Sequence, residues 1–308
     1  MMKLLLAIFL AFFGVFKGEA QSTDSLKVQI ITSDIDNFWQ AYDAAKPDFK
    51  PEFFQKLYID KGSKGIRGFM KNRIQNAEYL ASVVKKNLAY YESARQSTLQ
   101  IAKMEGQIRE SFIKLKEIYP RAVFPSIYFV MGTLNSGGTT SGAGLIIGAE
   151  MYGLTPAAPL DGMSNWLKTV LKPVDDIPHI VAHELIHFQQ KYDGGNLLSA
   201  SIKEGSADFI AELISGKHIN QHVHDFADKR EKELWMEFRD RMFEKDYKGW
   251  LYSSIEGRPN DLGYWMGYKI SKSYYDNSPD KKKAVHDIMN IRDFENFLEQ
   301  GRYPEKFK

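Results

Sequence analysis

The sequence predicts an α+β protein, mainly helical, with a small antiparallel β hairpin or sheet. Three observations carry this. Apolar residues keep helical spacing almost without interruption from Ile66 to about Tyr119. Two β-like runs flank a Gly-, Ser- and Thr-rich loop between residues 126 and 153. The segment HIVAHELIHFQQ (residues 179 to 190) sets polar groups among aliphatic ones at helical spacing, and the hairpin is expected to lie beside this helix.

Composition bounds the partners. The 308 residues, 44% hydrophobic and 26% charged, suffice for a packed core. Lys plus Arg (41) nearly balance Asp plus Glu (39), so the chain lacks the electrostatic footprint of a nucleic-acid binder, and no nucleic-acid partner is expected. Stability cannot come from disulfides, because the chain has no cysteine.

Taken in order, the chain opens with MMKLLLAIFLAFFGVFKGEAQS, a basic start, an apolar run from Leu4 to Phe16 and small residues at Gly18 and Ala20. This reads as a signal peptide, residues 1–20, cleaved before Gln21, and implies a secreted or periplasmic protein. Without a cysteine the reading excludes a lipid anchor, and no integral membrane segment is expected after cleavage. KVQIIT then reads as a short strand, and SDIDNFWQAYDAA (33 to 45) as a helix with Asp34 or Asp36 at its N-cap. The periodic stretch from Ile66 to Tyr119 gives two or three long helices and completes an N-terminal helical region, residues 21–122.

A second region, residues 123–308, carries the chemistry. Ile127 to Met131 and Gly144 to Gly148 read as the strands of a hairpin whose edge could pair with an extended peptide. The loop between them has no Lys after its glycines, so it is not a phosphate-binding loop. Asp175 or Asp176 caps the next helix, with Pro178 in its first turn.

On that helix His183 and His187 stand one turn apart on one face, a separation that suits two ligands of one Zn²⁺, with Glu184 beside them. This is HExxH, written here HELIH. Seventeen residues after His187, SIKEGSADFIAELISGK places Glu204 and Asp208 four apart on a helix ended by Gly216. Glu204 is the candidate third ligand, and Asp208 suits the carboxylate that orients a metal-bound histidine.

HELIH followed by EGSAD resembles the gluzincin metallopeptidases. More narrowly, the chain is similar to secreted bacterial proteins described as predicted zinc-dependent proteases, with SDIDNFW, the Gly-rich hairpin, HExxH, EGxAD and GYWxGY in this order. The resemblance implies a zincin-like fold, one Zn²⁺ per chain held by His183, His187 and Glu204, Glu184 as general base, and Asp208 as support for a histidine. It also implies a peptide or protein substrate. Two departures stand out: no downstream histidine matches the transition-state donor of thermolysin-like members, and GAEMY (148 to 152) has the composition but not the order of the aminopeptidase GAMEN motif.

Tyr264 and Tyr268 of GYWMGYKI are the candidate oxyanion donors, on a helix whose Gly263 and Gly267 permit close approach to the HELIH helix. His179 lies eight residues from His187, about 12 Å along a helix, too far to share one ion. His218, His222 and His224 read as a solvated connector, and residues 226 to 247 as a charged amphipathic helix. The leading expectation is thus a secreted zinc peptidase. Two alternatives stay open: a catalytically inactive, zinc-stabilised binding or scaffold protein of the cell envelope, and a helical envelope component in which HELIH binds nothing.

Overall fold

The runs IYFV (127–130) and GLIIG (144–148), dense in aliphatic and aromatic residues, form fully buried strands. The computed structural model describes residues 21–253 and 255–308; the expected signal peptide lies outside the described residues. The chain divides into two compact units, one of residues up to Arg109 with Val123–Pro178, the other of Glu110–Ala122 with His179–Lys308. The mainly helical α+β class is as expected. No helix among the described residues is long and apolar enough to cross a membrane.

The first unit holds the strands β1 (Gln21–Ser22), β2 (Ile30–Ile31), β3 (Phe124–Pro125), β4 (Ile127–Val130), β5 (Gly138–Ser141) and β6 (Gly144–Gly148). β1 pairs with β3; the other four form one sheet in the order β2-β4-β6-β5. The expected hairpin of β4 with β6 is corrected here: the two lie parallel, with Ile127 opposite Leu145. The antiparallel partner of β6 is β5, which the sequence reading left inside the loop, with Thr139 opposite Ile146. Burial explains the arrangement. Every residue of β4 and β6 is buried, as central parallel strands require, whereas the Thr-rich β5 is partly exposed at the edge.

Helices α1 (Ser33–Ala45), α2 (Pro51–Phe54), α3 (Lys64–Phe69), α4 (Ala77–Lys86), α5 (Leu88–Gln100), α6 (Glu105–Ile118) and α7 (Asn165–Val170) follow. Asp34 does not cap α1 as expected: it is fully buried and accepts from Ser63 N and Ser63 Oγ, at the start of α3. The long helices expected after Ile66 are broken at two polar positions. Gln75 takes a left-handed φ of 65°, and the Asn76 side chain then caps α4 through Tyr79 N. Asn87 bonds its side chain back to Val83 O, ending α4.

Phe38 is the hub of this unit's core, within 6.2 Å, centroid to centroid, of Trp39, Tyr42, Phe54, Tyr58 and Tyr91. The buried tyrosines spend their hydroxyls on the backbone beyond β4 and β6: Tyr58 on Met131, Tyr91 on Gly132 O and Tyr90 on Glu150 O. Glu150 itself is fully buried and accepts from Gly132 N and Leu134 N.

The second unit is helical: residues 110–118 of α6, then α8 (Ile177–Gln189) from His179 onward, α9 (Leu197–Ser215), α10 (Gln221–Ala227), α11 (Glu231–Arg241), α12 (Leu262–Asn277), α13 (Lys281–Met289) and α14 (Phe294–Gln300). α9 begins with a capping box of Asn196 and Ser199 and ends at Gly216, φ 86°. It is buried nearly all round, polar side chains such as Ser201, Glu204, Ser206 and Asp208 included. α12 crosses it at glycines: a Cβ on Gly267 would lie 1.7 Å from Ser201 O, and one on Gly205 2.0 Å from Tyr268 N. The close approach expected of Gly267 therefore serves the Glu204 helix, not the HELIH helix.

Candidate metal centre

One turn of α8 and one of α9 bring three donors together. His183 and His187, four residues apart, share a face of α8, and Glu204 faces them from the first half of α9. His183 Nε2 and His187 Nε2 are 3.0 Å apart. Glu204 Oε2 lies 3.1 Å from His187 Nε2 and 3.8 Å from His183 Nε2. Nitrogens on one tetrahedral zinc stand roughly 3.3 Å apart, so these atoms are spaced as a ligand set.

The outer ring nitrogens settle where the protons are. His183 Nδ1 is 2.7 Å from Asp208 Oδ1, an acceptor, so it carries the proton. His187 Nδ1 is 2.8 Å from Gln190 Oε1. The Gln190 amide cannot be reversed, because its nitrogen donates to Lys203 O at 2.7 Å and to Ser206 Oγ at 3.0 Å. In their neutral forms both imidazoles therefore turn an Nε2 lone pair toward the same point as a carboxylate oxygen. Three electron-rich atoms converging in a buried site demand a cation, and the residues fit a metal.

The field at the site says the same. Burial, the largest influence, pushes the His183 imidazole down, yet Asp208, Glu184 and Glu204 hold it up to about 9. Burial raises the Glu204 carboxyl, but His187, His183 and the Tyr252 hydroxyl take it down to about 2. Asp208 is held in turn: its Oδ2 accepts from Asn220 Nδ2 at 2.6 Å. Glu204 is steadied by Tyr252, whose hydroxyl donates to Oε1 at 2.8 Å and leaves Oε2 for the histidines.

The structure thus brings His183, His187, Glu204 and Asp208 together as the sequence suggests. Glu184, half-buried on α8, is close enough to His183 to act on its charge. The two tyrosines part company. The Tyr264 ring stacks near His183, centroids 6.1 Å apart at 15°. Tyr268 turns away: its hydroxyl donates to Glu212 at 2.5 Å and its ring packs against His218 and His224. Those histidines are not a solvated connector. They are 8% and 6% exposed and stacked at 4.1 Å, and burial followed by the neighbouring His218 lowers the His224 imidazole to about 4. His179 meets Ser215 Oγ at 2.9 Å.

Gln190, Asn220 and Tyr252 escaped the sequence reading. Gln190 sits three residues after His187, a spacing that points it at the ring, so a signal existed. Tyr252, 48 residues from Glu204 in a loop, left none.

The chain matches the family model described as gliding motility protein GldB over residues 19–305, and it belongs to that family. No curated protein and no solved structure matches it. The family assignment corrects the gluzincin expectation. The chain is a member of a gliding motility family, not of the zinc metallopeptidases, and the secreted-peptidase reading, with its protease and metalloprotease description, falls with it. The physical reason is that HELIH and EGSAD specify where ligands sit on two helices, not what chemistry follows. The free secreted localisation is corrected too, since the family label marks lipoproteins.

Proposed function

We propose that this member of the gliding motility protein GldB family is a non-catalytic binding or scaffold component of the cell envelope, stabilised by one Zn²⁺ in its second unit. The observation that carries this reading is the family match across residues 19–305, in a chain whose three donors on α8 and α9 converge on one point. His183, His187 and Glu204 would hold the ion, Asp208 and Gln190 fix the imidazole tautomers, and Tyr252 steadies Glu204. When bound, the metal supplies cross-linking: it ties the two central helices of the unit and stabilises the folded chain over the unfolded one.

A partner-binding role draws further support from the first unit. Helix α7 buries none of its residues, and Trp166 is 45% exposed. On this helix Trp166 and Val170 stand at i and i+4 with Leu167 beside them, an apolar side of the kind that another protein of a motility complex covers.

The test is genetic. In gliding cells, chromosomal Glu184→Gln should leave colony spreading and protein abundance unchanged, while His183→Ala with Glu204→Ala should lower both. Spreading abolished by Glu184→Gln, with zinc content and abundance at parental level, would refute the non-catalytic reading.

A further inference from the structure

We propose that the first unit carries a basic face that docks on an anionic phospholipid surface. The face is built from the solvent side of α3 and its flanks. Lys61, Lys64, Arg67 and Lys71 are all exposed, and they recur at roughly helical spacing. The opposite side of α3, with Gly65, Ile66 and Phe69, is buried and packs on the sheet, where a Cβ on Gly65 would lie 2.4 Å from Tyr128 Cβ. The cations therefore point outward.

What sets them apart is that four exposed cations without an ion pair lie within eleven residues of one another. Among the described residues, Arg95 is bridged to Asp43, Lys46 to Glu92, Lys203 to Asp193 and Lys283 to Asp287. None of the four on this face joins an ion pair. The one acidic side chain in the run, Asp60, is engaged by Gln55. A chain of net charge only +2 thus gathers four exposed cations on one side of one unit.

The same side receives the N-terminal chain. Gln21, Ser22, Lys27 and Lys64 line one polar pocket of about 250 Å³. Beside Lys27, Leu26 is 65% exposed, the highest value among the large apolar side chains described. Exposed cations with an apolar residue at their edge match a headgroup layer: phosphates take the charge, and Leu26 enters the acyl boundary.

The experiment is co-sedimentation of the full chain with vesicles of phosphatidylcholine alone or with one-third phosphatidylglycerol. Two triple variants are compared: Lys61→Gln, Lys64→Gln, Lys71→Gln, and Lys281→Gln, Lys282→Gln, Lys283→Gln on α13, which change net charge equally. Each lysine at an anionic surface contributes on the order of fivefold in partition. Binding to the anionic vesicles should exceed binding to the neutral ones, fall at least tenfold in the first variant and fall little in the second, with unchanged circular dichroism in both. Equal binding to the two vesicles, or equal loss in the two variants, would overturn the proposal. Spreading lost in the first variant, with vesicle binding intact, would assign the face to an acidic protein instead.

Discussion

His187 Nδ1 and Gln190 Oε1 stand 2.8 Å apart, and the Gln190 amide nitrogen is pinned 2.7 Å from the Lys203 carbonyl, so a neutral side chain just past α8 dictates the tautomer of a candidate metal ligand. His183 receives the same service from a carboxylate, Asp208. With Glu204 held ionised beside the two imidazoles, a divalent ion would offset negative charge in a buried site.

Gln190→Leu should leave the fold in place and free the His187 ring. Zinc affinity, measured by competition with a chromophoric chelator, should fall about 10- to 100-fold. Parental affinity would show that Gln190 only packs.

Two glycine substitutions separate helix propensity from close approach. Gly267→Ala drives a Cβ into Ser201 O, a backbone atom that cannot step aside, and should cost more than about 3 kcal/mol in thermal unfolding. Gly106→Ala, in α6 with nothing within 4 Å, should be neutral or stabilising by up to about 1 kcal/mol. Similar melting temperatures for the two variants would show that α9 and α12 can separate without loss.

Much of this was legible in local pattern. α1 spans the residues the sequence marked, α9 ends at Gly216 as read, and the ligand triad follows from spacing on two helices, because a helical turn fixes which side chains share a face. What was not legible depends on partners distant in sequence. Asp34 or Asp36 is the cap that local pattern offers, but α1 has no side-chain cap and the partner of Asp34, Ser63, is 29 residues away. The parallel pairing of β4 with β6 depends on β5, whose GTTS has too little apolar character to announce a strand. The function was misread for a related reason: donor geometry is encoded locally, but what the site is used for is not.

Glu150 makes the first unit sensitive to pH. Burial raises its carboxyl from 4.5 to about 7, against the pull of the Gly132 and Leu134 amides. A raised carboxyl pKa means the fold favours the neutral form, so this contribution is complete below about 4.5 and fades as pH rises to about 7. The loss is roughly 3 kcal/mol at most. Glu150→Gln should flatten the dependence of urea stability on pH between 4.5 and 7; an unchanged slope would place its origin elsewhere.

Protons and zinc should compete at His183. In the metal-free protein its imidazole is raised from 6.5 to about 9, so that interaction is complete below about 6.5 and lost as pH rises through 9. Zinc needs the neutral ring. Its apparent affinity should climb about tenfold per pH unit between 6.5 and 9, and the slope should flatten in Asp208→Asn. Affinity independent of pH across that range would contradict the assignment of the raised value to His183.

The most direct test is zinc per folded chain, by inductively coupled plasma mass spectrometry, in protein purified without chelator, beside Glu204→Ala. The account predicts about one zinc in the parent, little in the variant, and a lower melting temperature whenever the metal is missing. A folded parent that carries no zinc and takes up none would contradict it.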